Sequence, residues 1–170
     1  MLSKALIIDC LRQLGDELVA RGLQGELLLT GGAAMCLVHE ARDMTKDVDA
    51  LYEPKAVIND IARQIAERNG LPSDWLNDGV KGFIGDNAPI EDYLVLNGLR
   101  VQAVSTEYLL AMKLMSSRYG EMDYQDIRFL LRKLDITSVD QAHRLLTTFF
   151  TASRILPKTM YVIEDILADG

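Results

Sequence analysis

The sequence predicts an α+β protein, in which a small mixed β-sheet flanked by helices is followed by a helical C-terminal region. Three observations lead to this prediction. Apolar residues recur at helical spacing over residues 2–21. Asn97-Gly98 separates two apolar runs, which is a strong signal for a β-hairpin. From Ser105 onward the apolar pattern is helical throughout. We therefore expect an α/β core over residues 1–104 and a helical region over 105–170 packed on it.

Within the core, glycine and proline separate the apolar segments into elements. Helices are expected at 2–21, at 33–38 and from Pro54 to the stop at Gly70, while strands are expected at 26–30, 48–52, 93–96 and 99–104. Residues 40–46 and 73–90 are expected to lack regular structure, since they are polar or rich in glycine. In the C-terminal region, helices are expected at 106–118, 123–134, 139–150 and 158–167.

The composition is that of a globular protein. The chain has 170 residues, 49% of them hydrophobic and 25% charged, which suits one domain or one domain with a helical extension. Its net charge of −7 argues against broad, charge-driven nucleic-acid binding, although a local basic patch is compatible with it. No apolar run approaches the roughly 18 residues that a membrane span needs, and the N-terminus is a poor signal peptide. We therefore expect a cytoplasmic protein without a membrane partner.

The two cysteines and two histidines do not predict a zinc site. Cys10 and Cys36 each lie in an apolar, helix-like stretch, which favours buried free thiols over a disulfide. His39 and His143 have no cysteine or histidine at ligand spacing.

A strand, two glycines and a helix follow one another from Thr30 to Val38. Glycine lets a backbone pass close to a ligand, and the N–H groups at a helix N-terminus attract phosphate. The pattern thus marks Gly31 and Gly32 as candidates for phosphate binding. Tightness of the turn alone also explains two glycines there.

Two carboxylates flank a valine in Asp47-Val48-Asp49. On a strand, residues two apart point the same way, so Val48 would face the core and both aspartates the other side. Like charges held this close favour a cation between them, and oxygen ligands suit Mg²⁺. The alternative is a solvated strand edge with two acids.

Charged residues also lie among the apolar positions of the first two C-terminal helices. Lys113 follows Leu109 and Leu110, and Asp123 and Asp126 share the stripe of Ile127. A lysine there could neutralise triphosphate charge. The alternatives are helix capping by the aspartates and a lysine that extends its ammonium to solvent.

Taken in order, these segments resemble a known family. The Gly-Gly turn, then Arg42-x-x-Thr45-Lys46-Asp47-Val48-Asp49, then the Lys/Arg/Asp/Asp helix pair is similar to the nucleotidyltransferase superfamily, in particular to small bacterial proteins related to AbiEii-type toxins. The resemblance covers residues 26–134. It implies that Gly31 and Gly32 hold nucleotide phosphates and that Asp47 and Asp49 bind Mg²⁺. It also matches Lys113 and its companion Arg118 to the basic positions of one site helix. Asp123 and Asp126 match the acidic positions of the helix that follows.

The resemblance implies transfer of a nucleoside monophosphate from an NTP such as ATP to an RNA end (tRNA included) or a protein hydroxyl. It further implies membership of a toxin–antitoxin or abortive-infection system, with a cognate antitoxin as partner. Many relatives carry a third carboxylate on a later strand, where this chain has Arg100 and Gln102. Either Asp123 or Asp126 supplies that function, or catalysis is weak or lost and the chain is a nucleotide-binding or partner-binding module. A structural domain that acts through a protein interface is a third alternative.

Overall fold

The computed structural model describes residues 1–82, 84–116 and 120–170. The chain folds into two compact units, Met1–Val104 and Ser105–Gly170. The first unit holds all the strands found in the described residues, and the second is helical. The α+β class with a mixed sheet is thereby confirmed.

The first unit is built on a five-stranded sheet with the strand order β5-β4-β2-β7-β6. Its strands are β2 (Gly25–Leu29), β4 (Val48–Glu53), β5 (Leu76–Asn77), β6 (Ile90–Leu96) and β7 (Leu99–Val104). The pairs β2–β7 and β4–β5 are parallel, whereas β2–β4 and β6–β7 are antiparallel. The sheet is therefore mixed, and the Asn97-Gly98 hairpin is confirmed.

The helices described in this unit are α1 (Lys4–Ala20), α2 (Gly31–Leu37) and α3 (Lys55–Asn69). Burial alternates along the central strands: Leu27 and Leu29 are buried, whereas Glu26 is exposed and Leu28 half-buried. Helices α1 and α3 contact each other and this sheet. The buried face thus forms the core with α1 and α3, and the opposite face carries Asp49 and Gln102.

Three short strands lie where no strand was predicted. β1 (Leu2–Ser3) lies at the start of the segment predicted to be a helix over 2–21, and that helix begins only at Lys4. The strand β1 pairs antiparallel with β3 (Met44–Thr45), which lies inside the segment predicted to be a loop. β5 (Leu76–Asn77) lies inside the segment predicted to be irregular. A two-residue strand shows no periodicity, and it exists only because a distant strand supplies its hydrogen bonds.

The second unit contains α4 (Thr106–Met115), α5 (Glu121–Lys133), α6 (Val139–Phe149), a 3₁₀ turn (Ala152–Arg154) and α7 (Pro157–Ala168). Ser105 and Ser138 cap α4 and α6, since each hydroxyl accepts a hydrogen bond from the backbone N–H three residues on. Its core is apolar, with Leu109, Leu110, Ile127, Leu130, Leu146 and Ile163 fully buried.

Two further predictions concern the thiols and the possibility of a membrane span. Cys10 and Cys36 are free, buried thiols, as expected. In the described part of the chain, no helix combines the length and the apolar character needed to cross a bilayer.

Candidate functional site

The glycine turn and the second carboxylate of the acid pair lie side by side in the first unit. Gly31 begins α2 with a φ of +55°, in the left-handed region that favours glycine. A Cβ added at Gly31 would lie 3.3 Å from Oδ2 of Asp49. Two segments separated along the chain are thus adjacent in space, with the carboxylate against the bare backbone of the turn.

The second glycine of the turn is covered by the residues that precede the acid pair. A Cβ on Gly32 would lie 2.7 Å from Oγ1 of Thr45 and 3.0 Å from Nη2 of Arg42. The pattern Arg42-x-x-Thr45 was part of the family resemblance, but no local feature of the sequence explained either residue. In the structure, both side chains occupy the space that any larger residue at position 32 would need.

The acid pair has the burial pattern predicted for it. Val48 is fully buried, whereas Asp47, just before β4, and Asp49, within β4, are half-buried. The backbone carbonyl of Asp49 accepts hydrogen bonds from N and Oγ1 of Thr30, at 3.1 and 3.2 Å. The backbone carbonyl of Asp47 accepts one from Oγ1 of Thr45, at 3.2 Å. The backbone on both sides of Val48 is therefore anchored to buried threonines.

Asn77 is a neighbour of the acid pair that sequence reasoning missed. It lies on β5 in parallel register with Asp49, so the two side chains lie on the same face of the sheet. Its Oδ1 accepts a hydrogen bond from the N–H of Gly79 at 3.0 Å. No local pattern could have found it, because β5 has only two residues.

The acid pair offers oxygen atoms as metal ligands. Asp47 and Asp49 supply carboxylates, and Asn77 on the adjoining strand supplies an amide side chain. No group of three or more His, Cys, Asp or Glu side chains among residues 1–82, 84–116 and 120–170 is arranged to hold a metal ion. Mg²⁺ is commonly held by one or two carboxylates together with waters and substrate phosphates. Asp47 and Asp49 fit that mode of binding and not an all-protein cage.

Gln102 occupies the strand position at which many relatives carry a third carboxylate, and the carboxylate of Asp92 lies next to it. Gln102 is half-buried on β7, on the same face as Asp49, and its Nε2 donates to Oδ1 of Asp92 at 3.3 Å. Arg100 donates to both oxygens of Asp92, at 2.9 and 3.0 Å. These hydrogen bonds from Arg100 hold the pKa of the Asp92 carboxyl below its usual value. Asp92 was not predicted, because it reaches Gln102 only through the register of the hairpin.

The second unit brings together three of the predicted site residues. Nζ of Lys113 lies 2.7 Å from Oδ2 of Asp126 and 3.4 Å from Oδ1 of Asp123. The other oxygen of Asp123 accepts a hydrogen bond from the N–H of Gly120 at 3.2 Å. The side chains of Lys113 and Asp126 are only 10% and 7% exposed. The ammonium of Lys113 is therefore paired within α4 and α5, and does not extend to solvent.

Arg118, predicted as the companion of Lys113, lies outside the described residues.

Comparisons of the chain with protein-family models, with curated proteins and with solved structures gave no match.

Proposed function

We propose that this chain is a Mg²⁺-dependent nucleotidyltransferase, which transfers a nucleoside monophosphate from an NTP to an RNA or protein hydroxyl. The observation that carries the proposal is the position of the Asp49 carboxylate against Gly31. In an enzyme of this kind, phosphate-binding backbone and metal-binding acid must be neighbours, because both act on the same triphosphate.

Each predicted site residue of the first unit has a role in this proposal. Asp47 and Asp49 would hold the metal ion, and the Gly31-Gly32 backbone would take the phosphates. When bound, Mg²⁺ neutralises phosphate charge and favours deprotonation of the attacking hydroxyl. The acceptor oxygen forms a bond to the α-phosphorus, the bond to the bridging oxygen breaks, and pyrophosphate leaves. The hydroxyl proton passes to a carboxylate or to water.

The family resemblance adds proposed roles for Lys113, Arg118, Asp123 and Asp126 in the second unit. The two aspartates would hold the ammonium of Lys113 in place, and Lys113 with Arg118 would offset charge that develops on the phosphates. The same resemblance motivates a toxin-like role with a cognate antitoxin.

The test is label transfer from each α-³²P-labelled NTP, with Mg²⁺, to total RNA or to lysate protein. We expect labelling by the wild-type chain and its loss in Asp49→Asn, because an amide holds a divalent cation far less well than a carboxylate does. Asp86→Asn, an equal charge change at an exposed position, is the matched control and should label normally. Failure of the wild-type chain to label either pool would contradict the proposal, as would an unchanged Asp49→Asn.

A second candidate function is a nucleotide-binding or partner-binding module without catalysis. Gln102 favours it, since an amide cannot act as a base and the adjacent Asp92 is engaged by Arg100. Calorimetry distinguishes the two functions: NTP binding without label transfer indicates the module, whereas transfer indicates the enzyme.

A further inference from the structure

The guanidinium of Arg42 packs directly on the glycine turn. A Cβ on Gly32 would lie 3.0 Å from Nη2 of Arg42 and 3.5 Å from its Cζ. At 3.0 Å, a real Cβ would force the arginine to move. A side chain at position 32 would require the guanidinium to shift by a few tenths of an ångström. The contact places a permanent cation at the turn whose first glycine lies against the Asp49 carboxylate.

The segment that carries Arg42 is anchored on both sides. Before it, Glu40 forms an ion pair with Lys4. After it, Thr45 pairs with Leu2 between β3 and β1, and its hydroxyl donates to the carbonyl of Asp47. Arg42 itself is half-buried, so one part of its side chain packs on protein while another part reaches solvent. These contacts hold the backbone on either side of Arg42 in place.

We propose that Arg42 binds and positions the polyphosphate of the nucleotide at the Gly31-Gly32 turn. The inference deepens the proposed function and rests on it for the identity of the ligand as a nucleoside triphosphate. In a chain with a net charge of −7, a polyanion needs a local cation. A guanidinium offers two parallel N–H donors to phosphate oxygens, a geometry that an ammonium does not have. Helix α2 has only seven residues, so the proposal that polyphosphate binds at this turn rests on the arginine and not on the helix dipole.

The test is calorimetric titration with inorganic tripolyphosphate and, separately, with each NTP in the presence of Mg²⁺. We expect Arg42→Gln to weaken binding of both ligands by about 10-fold or more, because charge-assisted hydrogen bonds to phosphate are lost. Arg42→Lys keeps the charge without the paired donors and should give an intermediate loss. Gly32→Ala should weaken binding as well, since its Cβ would press on Oγ1 of Thr45 and on Nη2 of Arg42. Arg63→Gln, at an exposed position of α3, is the control and should bind normally.

The outcomes separate this inference from the proposed function. Wild-type binding that Arg42→Gln leaves unchanged overturns the role of Arg42, while label transfer would still support the enzyme. Arg42-dependent tripolyphosphate binding without any label transfer supports the role of Arg42 and counts against the enzyme. A wild-type chain that binds neither ligand overturns both. Circular dichroism checks folding, and where Arg42→Gln fails to fold, the affinity of Arg42→Lys decides.

Discussion

The ammonium nitrogen of Lys113 lies 2.7 Å from Oδ2 of Asp126, and both side chains are largely buried between α4 and α5. Burial of two charges costs free energy that only close pairing recovers. Removal of one partner leaves the other charge buried and unpaired, which costs more than the intact pair contributes. The pair therefore makes the packing of α4 on α5 sensitive to either residue.

We expect Asp126→Asn to lower the free energy of unfolding by roughly 3 kcal/mol, because the closest carboxylate to the buried Lys113 ammonium is lost and Asp123 lies farther away. Urea denaturation followed by circular dichroism measures the change. Asp123→Asn is the comparison and should cost about 1 kcal/mol or less, since that side chain is 37% exposed. Equal losses in the two variants would contradict the dominant role of Asp126.

The double variant Lys113→Met/Asp126→Leu separates a structural role from a functional one. With both charges removed, we expect it to recover most of the stability lost in Asp126→Asn, because the two closely paired buried charges are removed together. If Lys113 acts on the nucleotide as proposed, this stable variant still loses label transfer. A stable and fully active double variant would assign the cluster to folding alone.

Gly31→Ala should remove label transfer at a modest cost in stability. A left-handed φ costs an L-residue roughly 1 kcal/mol, and the new Cβ would press on the Asp49 carboxylate. Gly70→Ala is the matched control, since Gly70 has a φ of +64° and nothing within 4 Å of its added Cβ. We expect similar losses of stability by urea denaturation in both variants, and loss of transfer in Gly31→Ala alone. Normal transfer by Gly31→Ala would show that the Asp49 position is not critical.

Gly15→Ala tests a close approach within the first unit. Gly15 is inside α1, where helix propensity alone predicts that alanine would stabilise by about 1 kcal/mol. In the structure, the added Cβ would lie 2.0 Å from the backbone carbonyl oxygen of Asn97 in the hairpin turn. We expect a destabilisation of roughly 2 kcal/mol or more, since backbone cannot move aside cheaply. A lower urea midpoint would support the close approach of Asn97, whereas a higher midpoint would show that helix propensity dominates.

Stability should fall at alkaline pH through Cys10. Burial, with a smaller effect of Asp9, raises the pKa of this thiol from 9.0 to about 11. The neutral thiol is favoured in the folded state, so its contribution is complete below pH 9 and is lost as pH rises from 9 toward 11. Thermal unfolding from pH 7 to 11 measures this loss. Cys10→Ala should show a shallower decline over that window, whereas an identical decline would assign it to other groups.

Local patterns predicted most of the regular elements, because helices and longer strands repeat their burial every 3.6 or 2 residues. The predicted strand 48–52 and the observed β4 differ by one residue, and Val48 is buried between two half-buried aspartates as the alternation required. The Asn97-Gly98 turn likewise predicted its hairpin without any tertiary information.

The sequence by itself determined which residues are candidates for chemistry: two glycines at a turn, two acids around a buried valine, and a lysine with two aspartates on apolar helix faces. Only the tertiary structure decided which residues lie next to one another. Asp49 against Gly31, Arg42 on Gly32, Asn77 beside Asp49 and Asp92 beside Gln102 all depend on strand register or on close backbone approach. Those contacts join residues that are far apart or in different strands, so no local periodicity encodes them, and only cooperative packing of the whole unit selects them.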